Sequence, residues 1–92
     1  MRTGLRAQTP DFTVFVSKDP TPTIRFGFVI SKTVGTAVRR NRIKRQLRSI
    51  AFNLLPKLNS KDFVIRVNPS AAKSKFENLN HSMQIGLAGE MR

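Results

Sequence analysis

The chain lacks residue types on which whole classes of protein depend. It contains no cysteine, no tryptophan and no tyrosine, and its single histidine is His81. Without cysteine, neither a disulfide nor a thiolate metal site can form. One histidine cannot supply a histidine-rich metal site, and a histidine-dependent triad would need partners that the sequence does not offer.

Carboxylates are also scarce, and they are scattered singly along the sequence. The five are Asp11, Asp19, Asp62, Glu77 and Glu90. Paired acid and base catalysis, or a two-metal nuclease centre, requires clustered carboxylates. We therefore expect no catalytic residue and no set of metal ligands in the protein itself.

Against these five acids stand 17 lysines and arginines, which give a formal net charge of +12 and a pI near 11.8. This balance predicts a polyanionic partner, either nucleic acid or an anionic membrane. The longest apolar runs, such as residues 26–30, are far shorter than the roughly 20 residues of a membrane span. We expect one small domain over residues 1–92, no membrane association and, since cysteine is absent, a cytoplasmic location.

The most informative stretch covers residues 32–48, where cations crowd onto a predicted amphipathic helix. Its apolar stripe continues to residue 54 and consists of Ile43, Leu47, Ile50 and Leu54. That spacing predicts a helix packed on a core, and Thr36 is suited to cap its start. The cations on the helix are Arg39, Arg40, Arg42, Lys44, Arg45 and Arg48.

These cations repel one another, because like charges four residues apart each cost a few tenths of a kcal/mol. A solvated helix face usually mixes acids with bases, but this helix contains no acid. A polyanion would relieve the repulsion, and five of the six cations are arginines, whose forked guanidinium suits phosphate oxygens. The stretch therefore predicts contact with phosphate groups.

Three stretches alternate apolar and polar residues with the period of a strand. They start at Asp11, Ile24 and Phe63, and a shorter strand is expected near residues 5–8. A second, weaker helix is expected over residues 73–87, with Gly86 and Gly89 fraying its end. The order of elements predicts an α+β sandwich: a mixed sheet with both helices on one face. The phenylalanines assigned to the core are Phe12, Phe26, Phe28, Phe52, Phe63 and Phe76.

The opposite face of the sheet is expected to be open. By alternation it carries Thr13, Phe15, Ser17, Arg25, Gly27, Val29, Arg66 and Asn68. An aromatic ring among small and basic residues suits single-stranded nucleic acid, whose bases stack on rings while cations follow the backbone. The alternative is that Phe15 is covered by another part of the protein.

The segment SKTVGTAVRRNRIKRQLR, residues 31–48, resembles the protein subunit of bacterial ribonuclease P. The resemblance lies in Ser-Lys, a following Gly, and then Ala-Val-x-Arg-Asn-Arg-Ile-Lys-Arg-x-x-Arg. It extends from about Gly4 to Leu87, which sets the expected core of the domain. It implies a small α+β fold, shared with a ribosomal-protein domain, in which the basic helix makes a left-handed βαβ crossover, a rare hand.

The resemblance also implies a function. Proteins of this family bind a catalytic RNA that uses magnesium ions, held by the RNA and its substrate, to remove the 5′ leader of precursor tRNA. One protein per catalytic RNA, with precursor tRNA as the second partner, is expected. The residues implied to face the catalytic RNA are Lys32, Arg39, Arg40, Asn41, Arg42, Lys44, Arg45 and Arg48. Those implied to line the leader cleft are Phe15, Thr13, Arg25, Val29 and Arg66.

Family members usually begin with a further helix whose basic and aromatic residues pack beside the cleft. This sequence starts just before its first strand and is expected to lack that helix, so either the start of the sequence is misplaced or the cleft has lost one wall. Two other functions are alternatives, of which the composition supports the first and argues against the second. A small structural ribosomal protein would be equally basic, and an autonomous metal nuclease would need the clustered acids that the sequence lacks.

Overall fold

A computed structural model describes residues 3–91, which form four strands and two helices. The strands are β1 (Thr3–Gln8), β2 (Phe12–Ser17), β3 (Arg25–Val29) and β4 (Asp62–Val67), and the helices are α1 (Ala37–Leu54) and α2 (Phe76–Leu87). Short 3₁₀ turns cover Lys32–Val34, Leu55–Lys57, Pro69–Lys73 and Ala88–Glu90. The predicted α+β class, with a mixed sheet and two helices, is confirmed.

The strands form one sheet in the order β1-β2-β4-β3. β2 pairs antiparallel with both β1 and β4, whereas β3 pairs parallel with β4. Parallel neighbours need a crossover connection, and α1 supplies it between β3 and β4. The basic helix is therefore fixed at both ends by adjacent strands.

Alternation along the two central strands produces the core. Phe12, Val14 and Val16 of β2 are buried, as are Phe63 and Ile65 of β4. The register places Val14 opposite Ile65 and Val16 opposite Phe63, so the apolar side chains of both strands lie on the face beneath the helices. The predicted core sides of these strands are confirmed.

The basic helix begins where its predicted cap, Thr36, places it. Residues 32–34 form a 3₁₀ turn, and α1 starts at Ala37 after Thr36, whose side chain accepts a hydrogen bond from the backbone N–H of Arg39. Gly35 between them has φ +153°, and a Cβ there would lie 2.8 Å from Cδ of Arg39. The turn therefore requires glycine.

The predicted apolar stripe of α1 is confirmed, since Ile43, Leu47, Ile50 and Leu54 are all buried. The assignment of Phe52 to the core is wrong, because its side chain is 72% exposed. Phe52 follows Ile43 by nine residues, about 180° around a helix. It therefore lies on the outer face.

The second helix ends at the predicted residue, Leu87, but starts later than predicted. It starts at Phe76 and not at residue 73, because Pro69–Lys73 form a 3₁₀ turn. Phe76 was expected in the core but is 44% exposed at the helix start. Gly86 does not fray the helix: it is buried, and a Cβ there would lie 2.8 Å from Cγ2 of Val14. The missing side chain lets α2 approach β2 closely.

The two phenylalanines of β3, which were also assigned to the core, lie at its margin. Phe26 and Phe28 are half-buried, because β3 is an edge strand. The ring of Phe26 stacks on that of Phe63, with centroids 5.0 Å apart.

A buried carboxylate joins the start of β2 to the C-terminal part of the fold. Asp11 is only 5% exposed, and its two carboxylate oxygens accept hydrogen bonds from the hydroxyls of Ser70, Ser74 and Ser82 at 2.9 to 3.2 Å. Hydrogen bonding of this kind compensates the burial of the charged group. It fixes the segment 70–74 against the sheet and α2.

Candidate nucleic-acid interface

The outer surface of α1 carries a set of cations without acidic partners. Among residues 3–91 two ion pairs form, Arg25 with Asp62 and Lys61 with Glu90, and neither includes a residue of α1. The exposed cations of the helix are Arg39, Arg42, Lys44, Arg45 and Arg48. Their charge is directed to solvent, which favours binding of an external anion.

These side chains occupy two flanks of the helix. Asn41, Lys44, Arg45 and Arg48 line one shallow surface depression, which we call the outer flank. Arg39 and Arg42 lie on the other side, facing the segment between β4 and α2. The cations therefore spread over the exposed arc of α1, an arrangement that suits a partner surrounding the helix more than a flat surface.

Two predicted RNA-facing residues lie somewhat apart from this array. Lys32 is exposed but belongs to the 3₁₀ turn before α1. Arg40 is half-buried, because it lies about 60° from the centre of the apolar stripe at Ile43. Its Nε atom is buried without a hydrogen-bond partner among the described residues.

The second surface is the open face of the sheet, on which one row of residues crosses all four strands. The register places Arg6, Phe15, Val64 and Gly27 side by side. Phe15 is half-buried, and the guanidinium carbon of Arg66 lies 5.5 Å from the centroid of its ring. This is a cation–π contact. The sequence left open whether the Phe15 ring is exposed on this face or covered by another part of the protein. The ring is partly accessible and partly covered by Arg66, so neither alternative holds completely.

Two residues expected on the open face are not accessible there. Thr13 is 2% exposed, and its cross-strand neighbours are the long side chains Gln8 and Arg66. The Ser17 hydroxyl is also buried, accepting a hydrogen bond from the backbone N–H of Asp62. The expectation that Thr13 lines an accessible cleft is therefore wrong in this conformation.

Arg25, which the resemblance assigns to the leader cleft, is paired with an acid. Its Nε and one terminal nitrogen donate to the two carboxylate oxygens of Asp62, each at 2.7 Å. The hydrogen bond from Arg25 lowers the pKa of Asp62, and the same bond raises the pKa of Arg25. The Arg25 side chain remains 71% exposed, so the pair lies at the edge of the open face with little net charge.

Three exposed cations beside these surfaces were missed in the sequence. Arg6 lies on the open face because the β1 alternation places it opposite Phe15, a signal that was present in the sequence. Lys73 and Lys75 lie beside Arg39 and Arg42 across a pocket. No local pattern shows that contact, since it depends on how the 70–75 segment packs on α1.

The described residues offer no grouping of three or more histidine, cysteine or carboxylate side chains around one point. Within residues 3–91, neither helix combines the length and apolar character of a membrane span.

Fold and surface together define a small, strongly basic α+β protein that presents a cationic crossover helix and an open sheet face. The family model described as Ribonuclease P matches residues 1–89. The chain belongs to the ribonuclease P protein family, and its role is that of the protein component in tRNA processing. The resemblance seen in residues 31–48 is confirmed, and the ribosomal-protein alternative is set aside.

Individual relatives agree with this assignment. The ribonuclease P protein component of Micrococcus luteus is 36% identical, over 97% of this chain and 76% of the relative. That of Bacillus cereus strain AH187 is 39% identical, over 87% of this chain and 71% of the relative.

Solved structures share the fold. The RNase P protein from Thermotoga maritima matches with a TM-score of 0.84 and 22% identity, over 97% of this chain and 86% of that one. The Staphylococcus aureus RNase P protein matches with a TM-score of 0.83 and 24% identity, over 92% of this chain and 79% of that one.

Proposed function

We propose that this protein binds the catalytic RNA of ribonuclease P through α1 and supports endonucleolytic removal of the 5′ leader from precursor tRNA. In this proposal the RNA carries out the cleavage, and the protein alone is not an endoribonuclease. The observation that supports it most strongly is the exposed array on α1, whose five cations have no acidic partner among the described residues.

The contribution of α1 is electrostatic. Each arginine can form paired hydrogen bonds to phosphate oxygens, and each phosphate neutralised releases condensed counterions from the RNA. Binding also removes the repulsion between like charges on successive turns, such as Lys44 and Arg48. The electrostatic energy of α1 is therefore unfavourable in the free protein and becomes favourable when the helix lies against RNA. We extend the contact to Lys32, Arg40 and Asn41, with Arg40 the least accessible of them.

We propose that the open sheet face holds the leader. Phe15 supplies a ring for a base, Arg66 a cation for the backbone, and Val29, which is 49% exposed, an apolar surface beside them. A base that stacks on Phe15 has to share the ring with Arg66 or displace it. Arg25 contributes less charge than expected, because Asp62 neutralises it.

Magnesium chemistry belongs to the RNA in this proposal. The described residues do not gather the oxygen ligands from which a protein builds a Mg²⁺ site. Phosphate oxygens of the catalytic RNA and its substrate would hold the ions, which supply activation of the attacking water. The basic protein reduces phosphate repulsion where the two RNAs meet. We further propose one protein per catalytic RNA, acting in the cytoplasm.

Reconstitution tests this proposal. Purified protein is added to a bacterial ribonuclease P RNA, and 5′ processing of a precursor tRNA is measured at a magnesium concentration too low for the RNA alone. We expect cleavage to be restored, and we expect RNA-free protein to cleave nothing. Cleavage by RNA-free protein, or no stimulation at any magnesium concentration, would refute the proposal.

A further inference from the structure

A pocket between α1 and the segment leading into α2 combines four cations from two distant parts of the sequence. Arg39 and Arg42 line it from α1, and Lys73 and Lys75 from the other side. Its volume is about 160 Å³. That is room for about five water molecules, or for one tetrahedral oxyanion and a water. We call it the interhelix pocket.

The described residues that line this pocket carry positive charge without a carboxylate among them. None of its four cations belongs to either of the ion pairs within residues 3–91. Two acids lie close to the lining: Asp11, which is engaged by the hydroxyls of three serines, and Glu77, which follows Phe76 in the first turn of α2. Four cationic residues around one pocket favour an anion in the space between them.

The backbone adds to this preference. α2 starts after Lys75, and within the described chain no side chain caps that start. The first N–H groups of a helix lack intrahelical acceptors and favour an anion near them, a preference that Glu77 in the first turn of α2 meets in part. Ser74, which also lines the pocket, is fixed by its hydrogen bond to Asp11 at 2.9 Å. The pocket is thus held in shape by the buried network.

We propose that the interhelix pocket binds a phosphate group of RNA, with Lys73 and Lys75 as ligands that the α1 motif does not include. The proposal rests on the function proposed above, because it takes the anion to be part of the RNA that α1 contacts. It extends the RNA-binding surface from α1 across to the start of α2.

The first test uses inorganic phosphate as the probe. Lys73→Gln/Lys75→Gln is compared with Lys18→Gln/Lys57→Gln, which removes the same charge from two exposed lysines outside the pocket. Phosphate is titrated while the backbone amide resonances of residues 75–77 are followed by NMR. We expect the pocket variant to lose at least about tenfold in phosphate affinity and the control variant less than about twofold. Equal losses would overturn the proposal, because they would show only general charge attraction.

The second test separates RNA phosphate from free phosphate. Affinity for the catalytic RNA is measured across a salt titration with the same two variants. If Lys73 and Lys75 share one RNA phosphate, the slope of log affinity against log salt should fall by about 0.7 to 0.9 in the pocket variant alone. An unchanged slope with lost phosphate binding would overturn the RNA assignment and leave a site for the free ion.

Failure of this proposal can be told apart from failure of the proposed function. Suppose that the pocket variant and the unmodified protein bind phosphate and RNA equally well, and that both proteins stimulate processing at low magnesium. The pocket is then not a phosphate site, while the proposed function stands. If the unmodified protein does not stimulate processing but binds inorganic phosphate in the pocket, the function fails and the RNA source of the phosphate fails with it.

Discussion

The outer flank of α1 gives a quantitative prediction. Arg45 and Arg48 are exposed, unpaired with acids and adjacent on the same surface. Arg45→Gln/Arg48→Gln lowers the net charge of +12 by two. If each arginine neutralises one RNA phosphate, the slope of log affinity against log salt falls by about 1.4 to 1.8, from about 0.7 to 0.9 per contact.

That change in slope sets the size of the effect. Between about 50 mM and about 200 mM salt, the ratio of unmodified to variant affinity should fall by about 7- to 12-fold. Filter binding or fluorescence anisotropy with labelled catalytic RNA measures it. The folded state should not suffer, because the substitution removes the like-charge contact of Arg48 with Lys44, worth a few tenths of a kcal/mol. A urea melt checks this.

The control is Lys18→Gln/Lys57→Gln, with the same change in net charge away from the outer flank. Its slope should stay close to that of the unmodified protein. If both double variants show the same slope as the unmodified protein, the outer flank does not contact phosphate. If both show the same reduced slope, attraction is governed by net charge and not by this surface.

Three further predictions concern the open face and the packing. Phe15→Ala should weaken binding of precursor tRNA by about 1 to 3 kcal/mol and leave binding of mature tRNA almost unaffected, because only the precursor carries a leader to stack on the ring. Equal losses for the two tRNAs in a competition assay would show that the leader does not bind to this face. Gly86→Ala should destabilise the protein by about 1 to 2 kcal/mol in urea, since overpacking outweighs the gain in helix propensity; Gly89→Ala, with nothing within 4 Å, is the control and should be neutral. The lowered pKa of Asp62 means that its pair with Arg25 contributes stability fully above about pH 4 and loses it as pH falls through the folded-state pKa. The stability difference between the protein and Asp62→Asn should therefore be constant above about pH 5 and shrink below pH 4; a difference that grows on acidification would contradict the pairing.

Local periodicity accounts for the parts of the fold that were predicted. Strand alternation placed Phe12 and Phe63 in the core, and helical spacing placed Leu47 there, because each pattern depends only on neighbouring residues. The same angular count excludes Phe52 from the core, so that error came from assigning this aromatic residue to the core without counting its angle. Phe76 was misplaced because the start of α2 has no side-chain cap to mark it.

The site was predictable where it lies on one element and not where elements meet. The cations of α1 form one sequence segment, whereas Arg25 and Asp62 are 37 residues apart and meet only through the parallel register of β3 and β4. Lys73 and Lys75 approach α1 because the buried Asp11 holds that segment in place. Such contacts depend on strand order and packing, which periodicity does not encode.

The strand order also constrains how the chain can assemble. β2 and β3 do not pair with each other. Each pairs with β4, which comes after α1 in the sequence. A growing polypeptide therefore exposes its most positively charged helix before the strand that anchors both neighbours has been made. Closing the sheet needs pairings between distant residues, which slow folding. In nascent chains that end before residue 62, we expect β3 to have no strand to pair with. We also expect their basic helix to attract RNA before it can pack on the completed sheet.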